Sequence, residues 1–215
     1  MQLIGVVMLV FLKERPKFSK NPAKIFIGFA LLMYGMEAMS SSVEPLAEVP
    51  TVSGFINNSF KNPILGMIAG LVFTAIIQSS SASVGILQAL CSTGILSYST
   101  VLPIIMGQNI GTCATAMLSS IGASKNGKRA AIVHLYFNVI GTVVFMTVFY
   151  TVNMFVHFSF LNDTANEMGI AVIHTTFNII TTALLLPLRN VLEKLAYMTI
   201  RVDDEEKGTY GKTEC

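Results

Sequence analysis

Two apolar segments, each too short to span a bilayer, flank the polar sequence Gln78-Ser79-Ser80-Ser81. The segments run from Pro63 to Ile77 and from Val84 to Leu96, and each is about 20 Å long at the helical rise per residue. A helix needs roughly 20 residues to cross the hydrocarbon core of a bilayer. Two half-length helices joined at a polar tip therefore predict a re-entrant hairpin over residues 63–96. The alternative is a pair of short buried or tilted spans.

Composition places this chain among integral membrane proteins. Of its 215 residues, 53% are hydrophobic and 12% are charged, and its mean hydropathy of +0.65 lies far from that of a soluble domain. The segments from Ile25 to Val43, Ala130 to Tyr150 and Ile170 to Leu188 are each long enough to be a full membrane span. The segment from Met1 to Leu12 is interpreted as the end of another span. A net charge of +2 gives no argument for nucleic acid, so the expected partner is the lipid bilayer.

A second polar break interrupts the apolar stretch from Val101 to Ile121, where the chain reads Gly107-Gln108-Asn109-Ile110-Gly111-Thr112. The stretch is long enough to cross the bilayer, and the break predicts a broken helix over residues 101–121 with an unwound middle. Non-helical backbone at membrane depth is tolerated only where it is buried in protein or lines a cavity. In transporters, such breaks direct helix N-termini toward anionic groups and free carbonyl groups toward cations.

Both breaks fit an ion site of this kind. After the first break we expect a helix to restart near Ser83, with Ser80, Ser81 and Ser83 as candidate caps beside free N–H groups. After the second break, Gly111 frees the turn, and a helix that restarts at Thr112 presents the same positive end. The second break is therefore expected to form the wall that faces the first.

The region between the two breaks carries no positive charge. No Lys or Arg lies between Lys61 and Lys125, so N–H and O–H groups would have to hold an anion there, and a co-transported cation would offset its charge. The alternative is that the small residues only allow close helix packing. The amides of Gln78, Gln108 and Asn109 favour a site, because amides in hydrocarbon need hydrogen-bonding partners.

The distribution of Lys and Arg predicts the topology, because short cytoplasmic loops collect positive charge. The loop from Thr151 to Gly169 has no Lys or Arg and is expected outside. We therefore expect a multi-pass protein of the cell membrane, with the loop 13–24, the C-terminus and a charged tail over residues 201–215 in the cytoplasm. The basic residues of the three inner segments are Lys13, Arg15, Lys17, Lys20 and Lys24; Lys125, Lys128 and Arg129; and Arg189, Lys194 and Arg201.

Two further polar features leave alternatives open. The sequence His134-x-x-Phe137-Asn138 recurs as His174-x-x-Phe177-Asn178. Because His and Asn lie four residues apart on one helix face, each pair either lines a pathway or bonds across helices to fix packing. Glu37 is an acid within a predicted span and either pairs with a cation or reaches interfacial water. A serine hydrolase is disfavoured because the chain lacks a G-x-S-x-G motif, so we expect no enzyme and no catalytic residue.

The stretch FTAIIQSSSASVGILQAL, followed by GQNIGTCATAMLSSIG, resembles the QSSS and G-x-N-I-G-T signatures of the sodium/phosphate cotransporter family, the type II class that includes bacterial members. The resemblance covers about Ile25 to Leu195 and is closest from Phe73 to Thr142. It implies sodium-coupled symport of inorganic phosphate, with sodium as the coupling ion and no cofactor. With the cap Ser83 included, the candidate phosphate-binding residues are Gln78, Ser79, Ser80, Ser81, Ser83, Asn109 and Thr112, and the candidate sodium-binding residues are Gln78, Ser79, Gln108, Asn109 and Thr112.

The chain departs from this family in two ways. Cys113 stands where many members have a second Thr, and QSSS occurs once, whereas the family carries the unit twice as inverted repeats. We therefore expect residues 1–200 to form one half of an inverted-repeat transporter core, most like the second half. A pair of identical chains is disfavoured as the complete core, since the loop 13–24 biases every copy of the chain to one orientation. The resemblance implies as partner a complementary half or a PhoU-like domain protein. The alternative is a non-transporting membrane subunit that stabilises or regulates a full-length transporter.

Overall fold

The computed structural model describes residues 21–47 and 62–200, which form eight α-helices and one short 3-10 helix. The predicted all-helical fold is confirmed for these residues. The segment from Met1 to Leu12, most of the loop 13–24 and the tail 201–215 lie outside them. The helices are α1 Asn21–Ala47, α2 Pro63–Ile77, α3 Ser80–Ser92, α4 Tyr98–Gly111, α5 Cys113–Ser119, α6 Lys125–Val156, α7 Glu167–Leu185 and α8 Arg189–Thr199, with the 3-10 helix Ser159–Asn162 between α6 and α7.

Three segments of the described chain are long and apolar enough to cross a membrane. They are the combined α4 and α5 segment Tyr98–Ser119, α6 and α7. The predicted spans Ala130 to Tyr150 and Ile170 to Leu188 correspond to α6 and α7. The predicted span Ile25 to Val43 lies within α1, which is 27 residues long but is not one of these three.

Local sequence explains where the two half-length helices begin and end. Asn62 caps α2 by accepting a hydrogen bond from the Ile64 N–H at 2.9 Å, and Pro63 at the first helical position has no N–H that would need an acceptor. α2 ends at Gln78, which has a φ of 57° and donates its N–H to the Thr74 carbonyl at 2.8 Å. Ser79 then caps α3 by accepting from the Ala82 N–H at 3.3 Å. Helix α3 therefore starts at Ser80, so the predicted restart near Ser83 is wrong.

The predicted unwinding of residues 107–112 is also wrong. Helix α4 continues through Gly111, and Thr112 keeps right-handed helical dihedral angles of −61° and −25° before α5 begins at Cys113. The glycines serve a different purpose, which is close contact between the backbones of α2 and α4. A Cβ on Gly107 would lie 2.8 Å from the Leu71 nitrogen, and one on Gly111 would lie 2.6 Å from the Leu71 oxygen. Small residues at this crossing allow an approach that larger side chains would prevent.

Helix α4 is the centre of the fold and contacts α2, α3, α6 and α7. Its side chains Val101, Ile105 and Met106 are completely buried. Phe177 of α7 is equally buried and meets the Phe145 ring edge to face, with ring centroids 5.3 Å apart. The hydrophobic core therefore surrounds the helix that carries the second polar motif. It consists of Leu87, Cys91, Leu96, Val101, Leu102, Ile105, Met106, Ala165, Ile170 and Phe177.

Helix α8 packs on α6 and is held there by Arg129. The Nε and Nη2 atoms of Arg129 donate to the Ile200 carbonyl at 3.2 and 3.1 Å. The guanidinium carbon also lies 4.1 Å from the centroid of the Tyr197 ring, within the range of a cation–π contact. Arg129 therefore ties the C-terminal end of α8 to the first turns of α6.

We expect Arg129→Ala to loosen α8 by about 1–3 kcal/mol, because the hydrogen bonds to Ile200 and the contact with the Tyr197 ring are lost together. Faster amide hydrogen exchange of residues 192–200 would show this loss. Lys128→Ala is the matched control, because no hydrogen bond of its side chain is seen in the described part of the chain. Equal exchange in the two variants would contradict the assignment.

Candidate functional site

A buried cluster of three polar side chains connects the two polar motifs. Thr74 of α2 and Ser83 of α3 share a hydrogen bond of 2.6 Å between their hydroxyl oxygens. The Nε2 atom of Gln108 on α4 donates to the Ser83 hydroxyl at 2.8 Å and to the Ser83 carbonyl at 3.0 Å. All three side chains are buried, with relative exposures of 1%, 0% and 2%. The predicted residues Ser83 and Gln108 are thus brought together although they lie 25 positions apart.

The side-chain amide oxygen of Gln108, Oε1, has no hydrogen-bond partner among the described residues. The orientation of the amide follows from its neighbours, because only the NH₂ group can donate to the Ser83 carbonyl. A buried acceptor without a partner costs about 1–3 kcal/mol. This oxygen can therefore accept a hydrogen bond from a ligand or coordinate a cation that reaches it.

The residues at the break between α2 and α3 have different surroundings. Gln78, Ser80 and Ser81 are exposed, and Ser79 is half-buried because its hydroxyl caps α3. The side chains of Ser80 and Ser81 make no hydrogen bond to other described residues. The N–H groups in the first turn of a helix have no partner within that helix. The start of α3 therefore presents several hydrogen-bond donors that the surrounding protein leaves free.

Asn109 lies on another side of α4 and faces α7. Its Nδ2 atom donates to the Ile105 carbonyl at 2.9 Å, and its Oδ1 atom lies 3.5 Å from Nδ2 of Asn178. Asn178 in turn donates to the carbonyl of His174 at 2.8 Å. Consecutive residues of α4 therefore contact α3 through Gln108 and α7 through Asn109.

Thr112 is placed less favourably for a ligand than the sequence predicts. Its hydroxyl donates to the Asn109 carbonyl at 2.6 Å, which is a bond within the same helical segment. The neighbouring thiol of Cys113 lies 3.6 Å from the carbonyl of His134 and is buried. Among the described residues, no hydrogen bond connects Gln78, Ser80 or Ser81 with the residues predicted on α4.

Sequence reasoning missed Thr74 as a member of the cluster. The residue is in the last turn of α2, and its carbonyl accepts the N–H of Gln78 at 2.8 Å. Its position four residues before the polar tip is a signal that was available in the sequence, because residues four apart share a helix face. Asn178 was noted as part of a repeated motif but was not included in the predicted site.

The chain matches the model of the Na+/Pi-cotransporter family over residues 31–185. It is 29% identical over 198 residues to YqeW of Bacillus subtilis, a protein described as uncharacterised. This match covers 92% of the present chain and 63% of YqeW. The chain is 23% identical over 209 residues to YjbB of Escherichia coli, a candidate inorganic phosphate export protein by name, with 94% and 37% covered. It is 30% identical over 151 residues to the sodium-dependent phosphate transport protein 2A of Rattus norvegicus, with 62% and 24% covered.

The chain thus spans 63%, 37% and 24% of the lengths of these three relatives. No solved structure matches it. The family model covers more than half of the chain, including the whole of α2 to α7 and both polar motifs. The resemblance seen in those motifs is therefore confirmed. This membrane protein belongs to the Na+/Pi-cotransporter family, which is a family of transporters and not of enzymes.

Proposed function

We propose that the chain takes part in sodium-dependent symport of inorganic phosphate, with a site between the start of α3 and the last turn of α4. The observation that carries this proposal is the buried Gln108 oxygen without a partner, beside a cluster that holds the start of α3. Membership in a phosphate transporter family and the name of the rat relative support the choice of ions.

The start of α3 suits phosphate because it concentrates donors without a fixed charge. The N-terminus of a helix attracts anions through free N–H groups and the helix dipole. Ser80 and Ser81 add exposed hydroxyl groups, and Ser79 holds the turn in place. The proposed phosphate-binding residues are Gln78, Ser79, Ser80, Ser81, Ser83, Asn109 and Thr112.

Sodium is proposed to balance the charge of phosphate within the same region. The chain has no Lys or Arg between Lys61 and Lys125, so a bound oxyanion lacks a nearby cationic side chain. The free Gln108 oxygen is a suitable sodium ligand, and backbone carbonyls and hydroxyls supply the others. The proposed sodium-binding residues are Gln78, Ser79, Gln108, Asn109 and Thr112.

The two short helices α2 and α3 are proposed to form a re-entrant hairpin, and the chain is proposed to supply one half of an inverted-repeat core. A complementary half or a PhoU-like domain protein is the proposed partner. Rocking of one half against the other would expose the site to each side in turn. The positive charge of the basic segments supports a cytoplasmic location of the loop 13–24 and of the C-terminus in this proposed cell-membrane protein.

Uptake of labelled phosphate by cells that express the chain with a complementary half tests this function. We expect uptake in sodium buffer that is lost when choline replaces sodium. Ser80→Ala and Asn109→Ala are each expected to reduce uptake about tenfold or more, because each removes a polar side-chain group that is proposed to contact the charged ligand. Thr147→Ala is the control, since its hydroxyl bonds only the Val143 carbonyl within α6.

The same assay separates the alternatives. Uptake unaffected by both substitutions would overturn the assignment of the site. Transport by the chain alone in liposomes would overturn the need for a complementary half. Release of phosphate from loaded cells without uptake would show that the chain resembles an exporter, as the name of the Escherichia coli relative suggests for that protein. No transport with any partner would favour the non-transporting subunit.

A further inference from the structure

Helix α7 carries a polar stripe next to the predicted site, defined here as His174, Thr175, Asn178 and Thr182. These side chains line an open groove of about 530 Å³ together with Ile179 and Ala183. Thr175 and Thr182 are exposed, and their hydroxyls make no hydrogen bond to other described residues. A helix long enough to span a membrane therefore presents four polar side chains along one open groove.

The other flank of α7 has the opposite character. There α7 and α6 enclose an apolar cleft of about 800 Å³, with Phe145, Phe149 and Leu184 among its walls. Aromatic and aliphatic walls suit lipid chains or apolar side chains, whereas His, Asn and Thr at membrane depth are expensive to leave in hydrocarbon. The contrast between the two flanks indicates that the polar stripe faces water and not lipid.

The polar stripe lies beside the proposed ion site. Gln108 bonds Ser83 in the first turn of α3, and the next residue, Asn109, contacts Asn178 in the stripe. The same turn of α4 thus contacts the first turn of α3 on one side and the stripe on the other. Helices α3 and α7 also contact each other directly, because Nε2 of Gln88 on α3 donates to the Glu167 carbonyl at the start of α7 at 3.2 Å.

The related pair His134 and Asn138 on α6 has different surroundings. Asn138 is 5% exposed and donates to the His134 carbonyl at 3.0 Å. The thiol of Cys113 approaches the same carbonyl, so Asn138 and the backbone at His134 pack against α5, whereas the His134 side chain is exposed. The sequence left packing and pathway open for both pairs. The structure favours packing for Asn138 on α6 and an open groove for the pair on α7.

We propose that the polar stripe of α7 forms one wall of the aqueous pathway through which the oxyanion reaches the start of α3. This inference rests on the proposed function. Imidazole, amide and hydroxyl groups replace part of the hydration of a passing anion by hydrogen bonds, and none of them holds it by a full charge. Asn178, the member of the stripe that contacts Asn109, is the positioning residue between pathway and site.

Cysteine accessibility tests this pathway in the membrane. Thr175→Cys and Thr182→Cys are each treated with a charged, membrane-impermeant thiosulfonate reagent in cells that express the full chain and its partner. Thr176→Cys and Ile180→Cys, which line the apolar cleft, are the controls. Cys91 and Cys113 are buried, and Cys215, which lies outside the described residues, is replaced by Ser in every variant and in the parent chain that sets the baseline. We expect the stripe variants to react at least about tenfold faster than the controls, since only the hydrated thiolate attacks the reagent.

The ligand is tested in the same experiment by adding sodium phosphate or sodium sulfate before the reagent. If phosphate slows the labelling of Thr175→Cys and sulfate does not, the result would support both the pathway and the proposed ion. Fast labelling that phosphate does not slow would support the water-filled wall and count against phosphate as the ion. Labelling of the stripe no faster than that of the controls would overturn the pathway, whatever the result of the transport assay.

Discussion

Gln108→Met is expected to lower phosphate uptake about tenfold or more, because it removes the side-chain oxygen proposed to coordinate sodium, and a loss of about 1.4 kcal/mol in ion binding already corresponds to tenfold. The free energy of unfolding is expected to change by no more than about 2 kcal/mol. The substitution removes two hydrogen bonds to Ser83, but it also removes the buried oxygen that has no partner. Ser83 keeps its bond to Thr74.

Two measurements on one sample separate the roles of Gln108. Uptake of labelled phosphate reports transport, and thermal unfolding in detergent reports stability. Gln88→Met is the matched control, because it makes the same chemical change on a half-buried side chain that bonds only the Glu167 carbonyl. Normal uptake by Gln108→Met would remove this residue from the ion site. Normal uptake together with a large loss of stability would show that the cluster serves folding alone.

Gly107→Ala is expected to destabilise the fold by at least about 3 kcal/mol, at the upper end of the effect of overpacking. The added Cβ would lie 2.7 Å from the Met67 carbonyl carbon and 2.8 Å from the Leu71 nitrogen. Backbone atoms of a helix cannot turn away as a flexible side chain can, so α2 and α4 would have to separate. This separation would also break the hydrogen bonds within the cluster of Thr74, Ser83 and Gln108.

Loss of the monodisperse peak in detergent size-exclusion chromatography and a lower midpoint of thermal unfolding would show this effect. Gly28→Ala is the control, because no atom lies within 4 Å of a Cβ at that position of α1. That change is expected to be neutral or to stabilise by up to about 1 kcal/mol, as alanine favours the helix over glycine. Equal stability of the two variants would contradict the close contact between α2 and α4.

Much of the local structure of this chain was predictable because its causes lie within a few residues. Asn62 and Pro63 mark the start of α2, and the polar tip at Gln78 and Ser79 ends one helix and caps the next. The apolar lengths predicted α6 and α7 as membrane spans. The extent of the break in α4 was not predictable, because Gly107 fits an unwound turn and a close helix contact equally well.

The amino-acid sequence by itself determined the helical membrane class, the positions of the polar motifs and the family, since these depend on hydropathy, capping and local pattern. Only the tertiary structure decided which polar groups meet. It placed Gln108 on Ser83 and Asn109 on Asn178, and it left one Gln108 oxygen without a partner among the described residues. The physical reason is that neighbouring residues of a helix point about 100° apart. The partner of each side chain therefore depends on which helix packs against that side.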